Sequence, residues 1–153
     1  MKASLVVVCF VVTLAAGARP DFSGSWTLDA QKSNFGPLPV PSKYERVITQ
    51  NGPAVHVTTH QATGSGEQAI DTNFRTDGEF IENRYKTGVA RVSGRWDADR
   101  LEVETRRELQ GKPLTSVEIW SLSTDRRTLT VKNHIETPNG PLDLVLVLVL
   151  RRR

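Results

Sequence analysis

The chain has 153 residues, with 20 Lys and Arg against 17 Asp and Glu, a formal net charge of +3 and a single cysteine. That length makes one domain around one core. Its basic residues are interleaved with acidic ones, as in Glu102-Val103-Glu104-Thr105-Arg106-Arg107-Glu108, which describes a solvated surface and excludes a nucleic-acid footprint; Arg151-Arg152-Arg153 reads as a solubilising terminus.

The first 18 residues read as a secretory signal peptide. Lys2 supplies the positive start, Leu5 to Ala15 is an apolar run too short to span a bilayer as a helix, and Ala16-Gly17-Ala18 is a small-x-small cleavage site. The expected protein is therefore a domain of residues 19–153, secreted or periplasmic, with no membrane span. Cys9 lies inside the signal, so the mature chain is expected to have no disulfide, no thiolate nucleophile and no cysteine metal ligand.

From there the chain alternates polar and apolar residues with period two, and turn signals recur about every ten residues, the pattern of a sandwich or barrel. Ten strands are expected near Phe22–Leu28, Lys43–Gln50, Val55–Gln61, Gln68–Arg75, Glu79–Lys86, Val89–Trp96, Leu101–Leu109, Leu114–Leu122, Leu129–Thr137 and Leu142–Arg151. No useful stretch has helical period. Asp77-Gly78 and Thr87-Gly88 are two-residue hairpin signals, and Asn51-Gly52 is a third whose register Pro53 leaves open. Asp97 to Arg100, Gln110 to Pro113 and Pro138 to Pro141 read as four-residue loops. Folding the hairpins back on these turns sets Phe74 opposite Ile81, Tyr85 opposite Ala90, Val103 opposite Trp120, Leu122 opposite Leu129 and Val131 opposite Leu148. All apolar partners then share one face, and a slip by one residue would mix the faces. The fold class is an all-β, antiparallel up-and-down barrel of about ten strands. One Pro/Gly-rich loop, Asp29 to Ser42, follows the first strand with room for at most one helical turn. One end of the barrel should be plugged by Trp96, Leu101, Trp120, Leu122, Leu129 and Leu150; the other, with the long loop, is the mouth.

Phe22-Ser23-Gly24-Ser25-Trp26-Thr27-Leu28 resembles the F-x-G-x-W-x-L opening of the calycin superfamily, which holds lipocalins and fatty acid-binding proteins. Ten meandering strands with the insert after the first resemble the fatty acid-binding branch, and the whole pattern is similar to secreted bacterial lipocalin-like proteins. The resemblance implies that Trp26 packs at the closed end. It also implies a site for a small molecule inside the barrel. Two departures matter. The Arg-x-Tyr pair that anchors a carboxylate on the last strand of that branch is replaced by Leu142, Leu144, Leu146, Leu148 and Leu150, and the two-helix lid is missing.

The inward face carries polar residues among the apolar ones, and Asn83, Tyr85, Arg107, Glu118 and Asn133 are the candidate ligand-binding residues. In the expected register Thr105 faces Glu118, Glu118 faces Asn133, and Arg107 lies diagonal to Glu118 within reach of an ion pair. These groups either orient a mostly apolar ligand in a cavity or fill a barrel that binds nothing. His56 and His60 share a face four positions apart, roughly 13 Å, too far to bind one metal together. No cofactor, no metal and no catalytic residue is expected: no H-E-x-x-H, nucleophile elbow or Ser-His-Asp order occurs. Val145, Val147 and Val149 alternate with the inward leucines of the last strand, an outward stripe suited to self-association. The expected function is carriage or sequestration of a small apolar ligand. A protein-interaction or inhibitor module acting through the last strand is the alternative, and a small-molecule enzyme the third.

Overall fold

The alternation of the sequence becomes a single ten-stranded antiparallel sheet in the computed structural model, which describes residues 18–151. The expected signal peptide lies almost wholly outside the described residues. The strands are β1 (Gly24–Leu28), β2 (Lys43–Asn51), β3 (Ala54–Thr63), β4 (Gly66–Arg75), β5 (Ile81–Tyr85), β6 (Gly88–Asp97), β7 (Arg100–Leu109), β8 (Lys112–Leu122), β9 (Thr128–Thr137) and β10 (Gly140–Leu150). Their order is β4-β3-β2-β1-β10-β9-β8-β7-β6-β5. Apart from β4 with β5, every strand pairs with its sequence neighbours, and the first pairs with the last. The result is an up-and-down barrel with one open seam. No helix occurs among the described residues.

The turns are tighter than the sequence suggests. Leu109 pairs directly with Lys112 and Thr137 with Gly140, leaving two-residue turns where four-residue loops are expected. Gln110 (φ 53°) and Gly111 (φ 74°) both sit in the left-handed region, the geometry of a hairpin turn whose twist matches its strands. Lys86 and Thr87, not Thr87 and Gly88, make the turn between β5 and β6, because Tyr85 pairs with Gly88. Each of these three hairpins is displaced by two residues from the expected register. Val103 therefore faces Glu118, Trp120 faces Leu101, and Val131 faces Leu146. A shift of two keeps every side chain on its own face, so the inward set survives.

The expected hairpin at Asp77-Gly78 does not form. Instead the chain after β4 crosses to β6: Gly78 N–H donates to Gly94 O (2.9 Å), and Asp77 bridges to Arg95. Gly94 permits this approach. A Cβ there would stand 2.9 Å from the Arg75 carbonyl oxygen and from the Phe74 ring, so only glycine lets β4 lie against β6. Phe74 is thereby buried in the core rather than paired with Ile81.

The core sits at one end of the barrel, where sequence analysis places the plug. Trp26, Phe22, Leu101, Leu129, Leu148 and Trp120 are fully or almost fully buried. Trp26 Nε1 donates to the Phe22 carbonyl (2.8 Å), which satisfies its one polar group. The Phe22 ring stacks on Trp96 (5.9 Å, 17°) and meets Trp120 edge-on (5.5 Å, 83°), and Phe74 meets Trp120 from the other side (5.8 Å, 89°).

Residues 29–41 form no helix. They continue the line of β1 along β10: Asp29 N–H donates to Val147 O (2.8 Å), Ser33 Oγ accepts from Val147 N–H (2.9 Å), and Asn34 and Val145 exchange two backbone bonds (2.7 and 2.8 Å). This strap closes the wall between β10 and β2 that the short β1 would leave open. Val145 and Val147 are half-buried on the outer surface, whereas Val149 is exposed.

Trp26→Ala is expected to lower stability by about 3–5 kcal/mol, the cost of removing a large aromatic side chain from a packed core. A denaturant titration measures it. A loss under about 1 kcal/mol would place Trp26 outside the structure's cooperative core.

Candidate functional site

Midway along the barrel, two charged side chains meet across the interior. Arg46 projects inward from β2, where it faces Trp26 on one side and Thr59 on the other. Glu118 projects inward from β8, facing Val103 and Asn133. Arg46 Nη1 and Nη2 donate to Glu118 Oε2 and Oε1 at 2.9 and 2.8 Å, a two-point carboxylate clamp. Arg46 Nε donates to Tyr44 Oη (2.8 Å), and Trp120 Nε1 donates to Glu118 Oε2 (2.7 Å). The guanidinium also lies 5.6 Å from the Trp120 ring centroid and 5.7 Å from that of Tyr44.

The electrostatics follow from this geometry. Burial pushes the Glu118 carboxyl up, but the Arg46 charge and the hydrogen bonds from Arg46 and Trp120 outweigh it and hold the group below the ordinary carboxylate range. Burial pulls Arg46 down, and Glu118 with Tyr44 more than reverses that. Burial raises the Tyr44 phenol, with the Glu118 charge adding to it and Arg46 opposing. All three groups therefore stay in their ordinary charge states at neutral pH.

The ion pair corrects the sequence reading. The partner of Glu118 is Arg46, not Arg107. The two-residue turn at Gln110-Gly111 slides β8 by two positions, so Arg107 pairs with Leu114 near the mouth, four residues from the level of Glu118. Thr105 faces Ser116 rather than Glu118. The sequence reading did not name Arg46; the signal that could find it is alternation, which puts it on one face with Tyr44 and Ile48, opposite Trp26.

Toward the mouth the seam between β4 and β5 widens into an opening of about 660 Å³. Inward residues of four strands line it. β4 supplies Gln68, Ile70 and Thr72, β5 supplies Tyr85, β6 Ala90, and β7 Thr105 and Arg107. Arg84, Lys86, Glu67 and Asp71 stand on its rim. The seam is stitched where the opening ends. Asn83 Oδ1 accepts from the Asn73 backbone N–H (2.7 Å), Asn83 Nδ2 donates to Asn73 O (2.9 Å), and the Thr72 and Tyr85 hydroxyls share a hydrogen bond (2.9 Å). Asn83 is 5% exposed, so its amide is committed to holding the wall.

Of the five residues singled out from sequence, Tyr85 and Arg107 line the opening. Asn83 closes its inner end, and Glu118 and Asn133 face each other deeper in the barrel. Asn133 Oδ1 is buried with no hydrogen-bond partner among the described residues, an acceptor open to a donor. The β4 residues Gln68 and Ile70 are lining positions the sequence reading did not name. They belong to the site because the barrel opens at β4, a feature that period-two alternation does not encode.

His134 lies on the outer surface between two carboxylates, Asp143 Oδ1 at 2.7 Å and Glu136 Oε1 at 3.0 Å, which raise its pKa. No group of three or more His, Cys, Asp or Glu suited to a metal occurs among the described residues. No helix among them is long and apolar enough to cross a membrane.

No protein family's sequence pattern matches the chain, and no curated protein matches it in sequence. Its likeness to solved structures is in fold. Human cRBP IV superposes with a TM-score of 0.58 at 18% identity, over 87% of this chain and 99% of that one. A secretory abundant heat soluble protein of Ramazzottius varieornatus gives 0.62 at 14%, over 84% and 94%. The zebrafish ileal bile acid-binding protein, solved with cholic acid, gives 0.57 at 14%, over 85% and 98%. The chain thus shares its barrel fold with these solved structures.

Arg46→Met or Glu118→Met alone is expected to cost about 3–5 kcal/mol, because each strands a buried charge, while the double replacement costs much less. Chemical denaturation of the three variants checks this, and additive effects would show that the pair is not coupled. The wild type carries a matching acid signature. The folded pKa of Glu118 is depressed, so its stabilisation is complete above about pH 4.5, the ordinary value, and is lost as pH falls through the folded pKa. The double variant should lack that component in a pH series of denaturation midpoints.

Proposed function

We propose that the protein binds a small, mostly apolar molecule in the opening between β4 and β7, as a carrier or sequestering protein rather than an enzyme. The cavity carries this reading. Its volume of about 660 Å³ lies within the range of small-molecule sites, and its walls combine apolar surface from Ile70 and Ala90 with a few hydroxyls from Thr72, Tyr85 and Thr105. The fold neighbours support it: one is named for bile-acid binding and was solved with cholic acid, and another is a fatty acid-binding protein from Drosophila melanogaster brain. The signal-like pattern of residues 1–18 supports action outside the cytoplasm, in a secreted or periplasmic setting.

The interior chemistry narrows the ligand. Arg46 is spent on Glu118, so the deep cation is not free to anchor a carboxylate. The other polar groups of the lumen are neutral, with the Thr72 and Tyr85 hydroxyls bonded to each other and the Asn133 carboxamide oxygen unpartnered, and the one inward cation of the opening, Arg107, is at the mouth. A ligand held here places its apolar body inside and any acidic group at the rim.

A neutral naphthylamine probe that fluoresces in apolar surroundings should bind saturably. Thr105→Phe fills the middle of the cavity from β7 and is expected to weaken that binding at least about tenfold, equivalent to ~1.4 kcal/mol. The denaturation midpoint should stay near that of the wild type, since Thr105 is only half-buried. Undiminished probe binding in Thr105→Phe would move the ligand elsewhere.

A further inference from the structure

We propose that the same opening accepts an extended acidic peptide as an added strand, hydrogen-bonded to the free edge of β4 at Glu67, Ala69 and Asp71. β4 ends the sheet, so half of its backbone groups have no strand to pair with. Asn73 fixes their direction. Its N–H and C=O both bond to the Asn83 side chain, away from β3. Alternation along a strand then turns the N–H and C=O of Asp71, Ala69 and Glu67 the same way, into the opening. The far side of β3 agrees. Ala62 lies opposite Glu67, and its carbonyl accepts from Ser42 N–H (3.0 Å), so its groups too point away from the β3–β4 pair.

The Asn83 carboxamide shows what this edge binds. A carboxamide has the donor and acceptor of one peptide unit, and Asn83 uses both on Asn73 (2.7 and 2.9 Å). It occupies one rung of a ladder, and the next three rungs, at two-residue spacing, lie open beside a cavity. An added strand satisfies such rungs with its own backbone, while its alternate side chains enter pockets. Here one set would enter beside Ile70, Thr72 and Thr105. Charge selects an acidic occupant. Arg107 on the wall and Lys86 on the rim have no ion-pair partner among the described residues, whereas Arg84 is paired with Glu82, and Asp71 accepts from Thr58 Oγ1 (2.6 Å) and lies 3.4 Å from His56 Nε2. The proposal goes beyond the small-molecule reading: it shares the opening but draws on backbone groups that an apolar ligand leaves unused.

The test is fluorescence anisotropy of the full chain with a labelled six-residue peptide alternating valine and aspartate. Saturable binding is expected. N-methylation of alternate peptide amides should weaken it at least tenfold, and Arg107→Gln should weaken it several-fold. Ala69→Pro should reproduce the loss of at least tenfold without moving the denaturation midpoint, because the Ala69 N–H is not part of the β3–β4 ladder. Should that variant fail to fold, the N-methylated peptide decides alone. Binding indifferent to N-methylation overturns strand addition. No peptide binding while the neutral probe binds overturns this proposal and leaves the small-molecule reading standing; peptide binding without probe binding does the reverse.

Discussion

The Arg46–Glu118 pair is the constraint on which the interior is built. It joins β2 to β8 across the lumen, 72 residues apart in sequence, and so fixes the heights of opposite walls relative to each other. A buried pair of this kind gains little net stability over an apolar pair, because desolvation consumes most of the attraction. Its effect is on specificity. Any slip of β2 or β8 that separates the two charges leaves both in the interior without a partner, a far larger cost than the slip of an apolar contact. The surrounding donors complete the arrangement: Arg46 uses both terminal nitrogens and Nε, and Glu118 Oε2 also takes the indole N–H of Trp120.

That layer divides the barrel into two materials. On one side lies the aromatic plug of Phe22, Trp26, Phe74 and Trp120, dense enough to carry the fold without a disulfide. On the other side the lining changes to Thr72, Tyr85, Thr105 and Arg107, and the wall itself opens. The opening arises from the backbone. Gly94 lets β4 cross onto β6 at the plugged end, and strands drawn together at one end of a twisted barrel diverge toward the other. Asn83 marks the point where the divergence exceeds what a backbone ladder can span, and a side chain takes over the bond.

The faces of the barrel were legible in the sequence, and the heights were not. Alternation assigns Arg107, Glu118, Asn133, Asn83 and Tyr85 to the interior, and all five positions hold the inward register in the structure. Height along the barrel axis depends on turn length. A four-residue loop and a two-residue turn differ by two positions of register, which leaves every face unchanged and moves every partner. Gln110, a non-glycine residue at positive φ, is the position that made the shorter turn hard to foresee. The partnership of Arg46 with Glu118 was out of reach for a different reason: hairpin reasoning pairs neighbours in the sheet, and these strands are not neighbours. The seam was hidden because Asp77-Gly78 is a strong local hairpin signal that the long-range approach of β4 to β6 overrides.

The same reasoning explains how one interior can be polar and still suit an apolar guest. Charges within the lumen cancel in pairs, and those that remain stand where water can reach them. Arg46 is neutralised at the level where a guest would be driest, whereas Arg107 is exposed at the rim. A cation at the rim costs little to leave unpaired, since solvent screens it, and it adds selectivity for anionic groups at the entrance without demanding one inside. The free backbone edge of β4 lies in that same solvated zone, where unpaired N–H and C=O groups are tolerable because water can serve them until a strand replaces it. Depth therefore sorts the chemistry of the site: apolar volume inside, hydroxyls along its wall, and charge with open backbone at the mouth.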